Sequence, residues 1–164
     1  VGIPWRVAFA LQADGWYLRQ DIIWHKPNPM PESVKDRCTK SHEYIFLLSK
    51  NEKYYFNNEV IKTQSSSYFS EDGKANKRSV WTVNTYSYKE AHFATFPKDL
   101  IEPCVLAGCP MGGTVLDPFG GSGTTAVVAE ENNRNSVICE LNPDYIKIAK
   151  KRISQLQPKL PFGD

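Results

Sequence analysis

The amino-acid sequence predicts an α/β fold, and two short segments carry this prediction. Thr114–Leu116 is a β-forming run that ends before Pro118, which has no N–H to give to a sheet ladder. Thr124–Glu130 then has the Ala- and Val-rich composition of a helix start. Three glycines lie between them, at Gly120, Gly121 and Gly123. A strand, a glycine turn and a helix in this order place free backbone N–H groups at the mouth of a cleft.

The second segment is Ser136–Cys139, another short strand, which is followed directly by Glu140. Glu140 lies 17 residues after Gly123. An acid at the tip of the second strand, about 20 residues past the glycine turn, usually holds a ribose diol, because a carboxylate accepts two hydroxyl hydrogen bonds. The spacing therefore predicts a nucleoside-containing ligand. The alternative is a structural turn with a solvated Glu140.

The choice of nucleoside follows from what the sequence lacks. Gly121-x-Gly123-x-x-Ala126 formally fits a dinucleotide fingerprint, but only 24 residues follow Glu140, too few for a second mononucleotide-binding half. A phosphate-binding loop of the Walker type needs a Lys before the Thr, and here Thr124 follows Gly123 directly. A cofactor with one nucleoside, such as S-adenosyl-L-methionine, fits better.

Four segments resemble the amino-group DNA methyltransferases, in particular the permuted subgroup in which the catalytic half precedes the cofactor half. Asp117–Thr125 resembles their cofactor motif, and His92–Pro97 resembles the segment that caps the methionine end of the cofactor. Trp24–Pro29 and Ser41–Ile45 resemble the hairpin region that follows their catalytic tetrapeptide. The likeness covers roughly residues 1–156 and is poorest over residues 51–76.

This resemblance implies a Rossmann-like methyltransferase fold with a mixed sheet, S-adenosyl-L-methionine as cofactor and DNA as partner. The reaction it implies is methylation of adenine N6 or cytosine N4; the sequence does not distinguish the two bases. The cofactor-binding positions that it implies are Thr95, Phe96, Asp117, Phe119, Gly120, Gly121, Ser122, Gly123, Thr124, Glu140, Leu141 and Asn142.

The N-terminal third predicts a helix and two strands. Pro4 is a plausible helix start, and Trp5–Gln12 places Val7, Ala8 and Leu11 on one side. Tyr17–Trp24 and the apolar run Tyr44–Leu48 are predicted strands, the second of them buried, which form an antiparallel pair at a sheet edge.

The loop between these strands is the candidate wall of an active site, since a flipped base is held by stacking and by hydrogen bonds to its edge. For Trp24 a core position is the alternative, and for His25 solvation is the better interpretation. The target-base and DNA candidates are Trp24, Lys26, Asn28, Arg37, Lys40, Lys77 and Arg78.

The remaining elements follow in order. Residues 51–90 are irregular and correspond by position to a short target-recognition insert, whose cations would meet phosphates; a solvated surface loop is the alternative. Arg78–Val83 is a β-forming run, and Pro97–Leu106 has helical spacing. Asn142-Pro143 predicts a capped final helix with Ile146, Ala149, Ile153 and Leu156 on its buried face.

With these elements, the resemblance implies one partial methyltransferase domain over residues 1–164. Residues 1–50 would give the helix and edge hairpin of the catalytic half, 51–90 the insert and 91–156 the cofactor-binding half. The chain begins without an initiator Met or a lead-in strand, so we expect it to enter partway through a domain.

Composition narrows the class of protein. The 164 residues carry a net charge of +2, which permits nucleic-acid binding without requiring it. No Cys-x-x-Cys pair occurs, so we expect no metal site and four buried free thiols in a reducing cytoplasm. No apolar run is long enough to predict a membrane span.

The catalytic tetrapeptide of the family, Asp/Asn/Ser-Pro-Pro followed by Tyr, Phe or Trp, does not occur in these residues. We therefore assign no catalytic residue, expect a sheet without its catalytic central strand, and expect weak or no activity from the chain alone. A fragment, a degenerate gene product and completion by a second chain are the explanations left open. A gap in the sheet would also expose strand edges, which favour self-association, so we expect a homodimer. A non-catalytic binding remnant and an enzyme acting on RNA or a small molecule are the alternative functions.

Overall fold

The structure is a computed structural model and describes residues 2–65, 73–85 and 96–156. The described chain divides into two compact units. The first unit contains the residues up to Tyr55 together with Lys62–Thr85, and the second contains Phe56–Ile61 and the described residues from Phe96 onwards. The expectation that residues 1–164 form one partial domain stays a prediction.

The first unit is a helix and a mixed three-stranded sheet. Its elements are α1 (Ile3–Ala13), β1 (Tyr17–His25), β2 (His42–Ser49), β3 (Thr63–Gln64), β4 (Lys74–Ala75) and β5 (Val80–Thr82). The sheet order is β2-β1-β5, with β2 antiparallel and β5 parallel to β1. The predicted antiparallel pair is thus confirmed, and β2 lies at an edge of this sheet. Strands β3 and β4 form a separate two-residue ladder.

Apolar contacts hold α1 against the sheet. The Trp5 ring makes edge-to-face contacts with Tyr44 and Phe46 of β2, at centroid distances of 5.7 and 4.9 Å. Ala8 is buried, whereas Val7, which was predicted on the same side of the helix, is 54% exposed. The prediction of a buried β2 is also wrong, because most of its residues are half-buried, as expected for an edge strand with one covered face.

The second unit contains the glycine turn. Its helices and strands are α2 (Lys98–Gly108), β6 (Thr114–Asp117), α3 (Thr124–Glu131), β7 (Asn135–Ile138) and α4 (Pro143–Ser154). β6 and β7 are parallel, with Leu116 opposite Val137. All five elements were predicted from sequence to within three residues at each end.

Helix α3 forms the core of this unit. Four consecutive residues of α3 are at most 2% exposed, namely Ala126, Val127, Val128 and Ala129. A helix apolar on all sides is buried on all sides, and α2, β6, β7 and α4 each contact it. Because the start of α3 is the end of the glycine turn, this packing fixes the turn to the core.

The prediction of buried thiols is wrong for three of the four cysteines. All four cysteines are free, but only Cys109 is buried, while Cys38 and Cys139 are exposed and Cys104 is half-buried. Among the described residues no group of three or more metal-binding side chains occurs. None of the described helices is long and apolar enough to cross a membrane.

Candidate cofactor site

The glycine turn joins β6 to α3 through a tight, hydrogen-bonded backbone. The Gly123 N–H donates to the Gly120 carbonyl at 2.8 Å, and Gly121 and Gly123 have φ values of 51° and 79°. The side chains described make no capping hydrogen bond at the N-terminus of α3. The turn therefore presents main-chain N–H groups at the positive end of the helix, as the sequence predicts.

The three glycines of the turn are required for different reasons. A Cβ at Gly120 would lie 2.8 Å from Ile138 Cβ, and one at Gly123 would lie 2.8 Å from Ala149 Cβ. At Gly121 the nearest neighbour of an added Cβ is the Phe119 carbonyl oxygen, at 3.9 Å. Gly120 and Gly123 thus permit close packing within the protein, and Gly121 alone combines a left-handed backbone with open space for a ligand.

Asp117 shapes the entrance to the turn. Its Oδ1 accepts from the Phe119 N–H at 3.0 Å, and its Oδ2 accepts from the Thr125 hydroxyl at 2.6 Å. Its main-chain carbonyl also accepts from Cys139 N–H, which ties the end of β6 to β7. The carboxylate of Asp117 therefore connects the start of the turn to the first turn of α3.

Glu140 lies against the turn rather than in bulk water. One carboxylate oxygen, Oε2, accepts from the Gly121 N–H, and the other, Oε1, accepts from the Asn142 N–H, both at 2.8 Å. The pKa of this carboxyl is lowered, chiefly by the hydrogen bond from the Asn142 N–H. Burial opposes this effect, and the Gly121 and Leu141 N–H groups lower the pKa further. At neutral pH the acid is an anion, and each oxygen keeps a lone pair with which to accept a hydroxyl.

Two exposed apolar side chains flank this acid and turn. Phe119 is 86% exposed and Leu141 is 99% exposed. Both side chains are therefore accessible to a ligand. Together with the open face of Gly121, they give an apolar surface beside Glu140 that a flat ring could cover.

The side chains of Ser122 and Thr124 face the protein interior. Both residues are at most 6% exposed, and both hydroxyl oxygens accept from Arg152 of α4. These two predicted positions can therefore offer main-chain groups to a ligand more readily than side chains. The Asn142 side chain caps α4, because its Oδ1 accepts from the Asp144 N–H at 2.9 Å.

A groove of about 610 Å³ runs along β6 within the second unit. Its lining includes Gly113, just before the strand, Asp117 at its end, Thr125 after it, Phe96 and residues of α2. Phe96 is thus placed in the same groove as Asp117. The predicted position Thr95 lies outside the described residues, as do the other residues of the His92–Thr95 segment.

The candidate DNA-contacting residues of the first unit are largely engaged within it. Trp24 is 5% exposed and its Nε1 donates to the Val83 carbonyl at 2.8 Å, so the ring belongs to the core and offers no open stacking face. The Asn28 side chain exchanges two hydrogen bonds with the Thr85 main chain, at 2.9 and 3.1 Å. Lys26 pairs with Glu43 and lies over the Trp24 ring.

The other cations of this set differ in whether they contact other side chains of the protein. Arg37 has carboxylate oxygens of Glu32 and Asp36 at 3.4 Å, and Lys77 lies over the Trp81 ring at 4.9 Å. Lys40 and Arg78 are exposed. The exposed cations keep the ability to meet phosphates that the sequence predicts for them.

Sequence reasoning missed two polar residues of the site, Thr125 and Arg152. Thr125 is the partner of Asp117, and Arg152 is the partner of Ser122 and Thr124. Arg152 lies three residues after the buried Ala149, on the same side of α4. A cation three residues after a predicted buried alanine was the sequence signal that Arg152 would bond to groups inside the protein.

A strand, a glycine turn, a buried helix and an acid bonded to the turn define a nucleoside-cofactor-binding α/β unit. Residues 2–151 match the N6/N4 methyltransferase family model, described as DNA methylase. The chain therefore belongs to this family of amino-group DNA methyltransferases. The resemblance stated from the sequence is confirmed at the level of the family.

Individual relatives agree with this membership. The chain is 56% identical to Type II methyltransferase M.Cfr9I of Citrobacter freundii and 58% identical to Type II methyltransferase M.SmaI of Serratia marcescens. In each case the similarity covers 93% of this chain, and 50% and 52% of the relative. The chain thus spans about half the length of these curated relatives.

A solved structure extends the comparison to the fold. The M1.HpyAVI–SAM complex matches with a TM-score of 0.69 at 26% identity, over 92% of this chain and 69% of that one. The expected methyltransferase fold is thereby supported.

Proposed function

We propose that the chain binds S-adenosyl-L-methionine at the glycine turn. The observation that carries this proposal is the bond from the Gly121 N–H to Glu140 Oε2, beside open space over Gly121. Glu140 would accept the ribose hydroxyls, and Leu141 and Phe119 would cover the adenine ring. The similar M1.HpyAVI structure was solved as a complex with SAM, which supports the same assignment.

We further propose that the protein containing these residues methylates an exocyclic amine of DNA, at adenine N6 or cytosine N4. When bound, the cofactor supplies a methyl group activated by its positively charged sulfur. The residues of the site would bind and orient the cofactor: Glu140 would hold its ribose, and the glycine turn would present its main chain beside that ribose. Fixed orientation of this kind contributes a large part of the rate in a bimolecular transfer.

Titration calorimetry with S-adenosyl-L-methionine tests the cofactor proposal. We expect saturable one-site binding to the unaltered chain, and a loss of about tenfold or more for Glu140→Ala, because hydrogen bonds to a charged group disappear. Glu102→Ala is the matched control, since it removes an exposed carboxylate from α2 of the same unit. Absence of binding by the unaltered chain, or equal affinity of both variants, would contradict the proposal.

DNA binding is proposed through the exposed cations of the first unit. Lys40→Ala and Arg78→Ala should each weaken binding to any sequence, because phosphate contacts carry no base information. Each should lower the slope of log affinity against log salt by about 0.9 if it removes one phosphate contact. Fluorescence anisotropy at several salt concentrations measures this. Lys147→Ala is the control, since Lys147 belongs to the second unit and pairs with Asp144.

We propose that the 164 residues alone transfer methyl groups weakly or not at all, because they contain no Pro-Pro-aromatic tetrapeptide. Among the described strands, β6 pairs with β7 only, and the groove of about 610 Å³ follows β6. A strand carrying the tetrapeptide, supplied by another polypeptide segment, would fit beside β6. A methylation assay with labelled cofactor tests this, and robust transfer to DNA by the pure chain would refute it.

Self-association is the accompanying proposal. Leu116 and Val137 lie opposite each other on one face of the β6–β7 ladder and are 64% and 50% exposed. Exposed apolar strands favour association through their edges and faces. We expect a homodimer in sedimentation velocity and a shift toward monomer for Leu116→Ser. A concentration-independent monomer for the unaltered chain would contradict a dimer.

A further inference from the structure

Arg152, near the C-terminal end of α4, makes an unusual set of contacts for a helix-surface cation. Its Nη1 donates to the Ser122 carbonyl at 2.8 Å, to the Ser122 hydroxyl at 2.9 Å and to the Thr124 hydroxyl at 3.1 Å. All three acceptors belong to the end of the glycine turn and the first residue of α3. One guanidinium nitrogen therefore serves one main-chain and two side-chain oxygens.

The surroundings make these contacts difficult to replace. Ser122 is 4% and Thr124 is 6% exposed, so water does not readily substitute for a lost donor. A buried acceptor left without a donor loses the hydrogen bond and keeps its desolvation cost. One turn earlier on the same helix, Ala149 packs so closely on Gly123 that an added Cβ there would lie 2.8 Å from it. Helix α4 thus holds the turn at two points.

The position of a cation here also needs an explanation. The N-terminus of a helix carries partial positive charge, so a guanidinium beside the start of α3 gains nothing from the helix dipole. Its attraction is instead to the carbonyl and the two hydroxyl oxygens, whose orientation it fixes. Fixing the Ser122 carbonyl fixes the plane of the Ser122–Gly123 peptide, and therefore the direction of the Gly123 N–H that closes the turn on Gly120.

We propose that Arg152 is a positioning residue for the cofactor site, which holds the turn in its ligand-binding conformation without touching the ligand. This inference rests on the proposed cofactor binding. It also connects the two ends of α4, because the N-terminus of the helix follows directly on Glu140 and Asn142, while Arg152 reaches back to the turn that Glu140 contacts. Helix α4 thereby fixes the position of Glu140 relative to the turn.

Two substitutions test the proposal against a matched control. Arg152→Met keeps the length of the side chain and removes every donor, and Lys150→Met removes one positive charge from the exposed side of the same helix. At a temperature where circular dichroism finds both variants folded, Arg152→Met should bind S-adenosyl-L-methionine about tenfold or more weakly, and Lys150→Met within twofold of the unaltered chain. Arg152→Lys should recover part of the loss, since it keeps a charged donor.

A ligand-free measurement separates this inference from the cofactor proposal. In ¹H–¹⁵N spectra, the Gly121 and Gly123 amides should shift and exchange faster in Arg152→Met but not in Lys150→Met. If Arg152→Met does not fold, Ser122→Ala combined with Thr124→Val removes the two hydroxyl acceptors and keeps the bond to the Ser122 carbonyl. This variant should shift the Gly121 and Gly123 amides in the same direction by a smaller amount. Unchanged glycine amides, or unchanged affinity in a folded Arg152→Met protein, would overturn the inference. Absence of cofactor binding by the unaltered chain would instead refute the proposed function on which it rests.

Discussion

Alanine at Gly123 gives the sharpest test of how the turn is built. The substitution places a Cβ 2.8 Å from Ala149 Cβ and 3.1 Å from Ala149 Cα, on a residue whose φ is +79°. A left-handed backbone costs a non-glycine residue roughly 1–2 kcal/mol. Overpacking a well-packed interior costs roughly 1–3 kcal/mol more, and here the neighbour is a helix backbone with no flexible end to move aside. We expect a total loss of about 2–5 kcal/mol.

Two other glycines separate the strain from the clash. Gly112→Ala, at φ +74°, meets nothing within 4 Å, and Gly121→Ala, at φ +51°, meets only the Phe119 carbonyl oxygen at 3.9 Å. Both should therefore lose only the strain of about 1–2 kcal/mol. Urea unfolding followed by far-ultraviolet circular dichroism measures the three differences. Equal destabilisation by Gly123→Ala and Gly112→Ala would refute the claim that glycine is needed at position 123 because Ala149 packs against it.

A double substitution sharpens the same test. Ala149→Gly removes the nearest atom, Cβ, and by itself should cost about 1 kcal/mol because glycine is a poor helix residue. In the Gly123→Ala background it should cost less than that, or restore stability, so the two effects should not add. If the losses of the two single variants add in the double variant, the cost of Gly123→Ala comes from its left-handed backbone alone and not from a clash with Ala149.

Three further predictions concern neighbouring groups. The pKa of Glu140 is lowered chiefly by the Asn142 N–H, so the ionised carboxylate stabilises the folded protein above the ordinary pKa of 4.5, and this contribution is lost as pH falls through the lowered pKa. A ¹³C titration of the Glu140 carboxyl should give a midpoint below 4.5. A midpoint above 4.5 would contradict the observed contacts. Asn142→Ala should cost about 1 kcal/mol in urea unfolding, because the Asp144 N–H loses its cap, whereas Asn142→Asp should cost little. A thiol reagent should modify the exposed Cys38 and Cys139 rapidly and the buried Cys109 slowly, as mass spectrometry of the labelled peptides would measure; rapid labelling of Cys109 would show that its site opens.

Local signals in the sequence predicted the second unit well. Asn142 and Pro143 fix the start of α4 because capping depends on residues adjacent in the chain, and the structure has the predicted cap. The register of Glu140 with the glycine turn was also predictable, since a strand–turn–helix–strand unit has a nearly constant length. The acid indeed lies on the turn, through the Gly121 N–H.

Long-range choices could not be predicted in the same way. A tryptophan at position 24 is equally compatible with a core position and with a base-stacking role, so the sequence does not separate the two. The pairing of β1 with β5 decides it, because it brings the Trp24 indole N–H beside the Val83 carbonyl. The contacts of Arg152 span 28 to 30 residues, so no local rule assigns them. Exposure of Cys139 depends likewise on which neighbours the strand tip acquires in three dimensions.

The glycine turn shows why a motif that binds a cofactor contains so few residues that can touch one. Gly120 is packed on Ile138, Gly123 is packed on Ala149, and the Ser122 hydroxyl accepts from Arg152, so the protein itself occupies the space at three of its four consecutive positions. Only Gly121 remains open, and its N–H already donates to the carboxylate that would meet the sugar. Substitutions at the packed positions should therefore act first on stability, because these residues build the turn. Substitutions at Gly121 or Glu140 should act first on affinity, because in the proposed cofactor site these two residues would face the ligand.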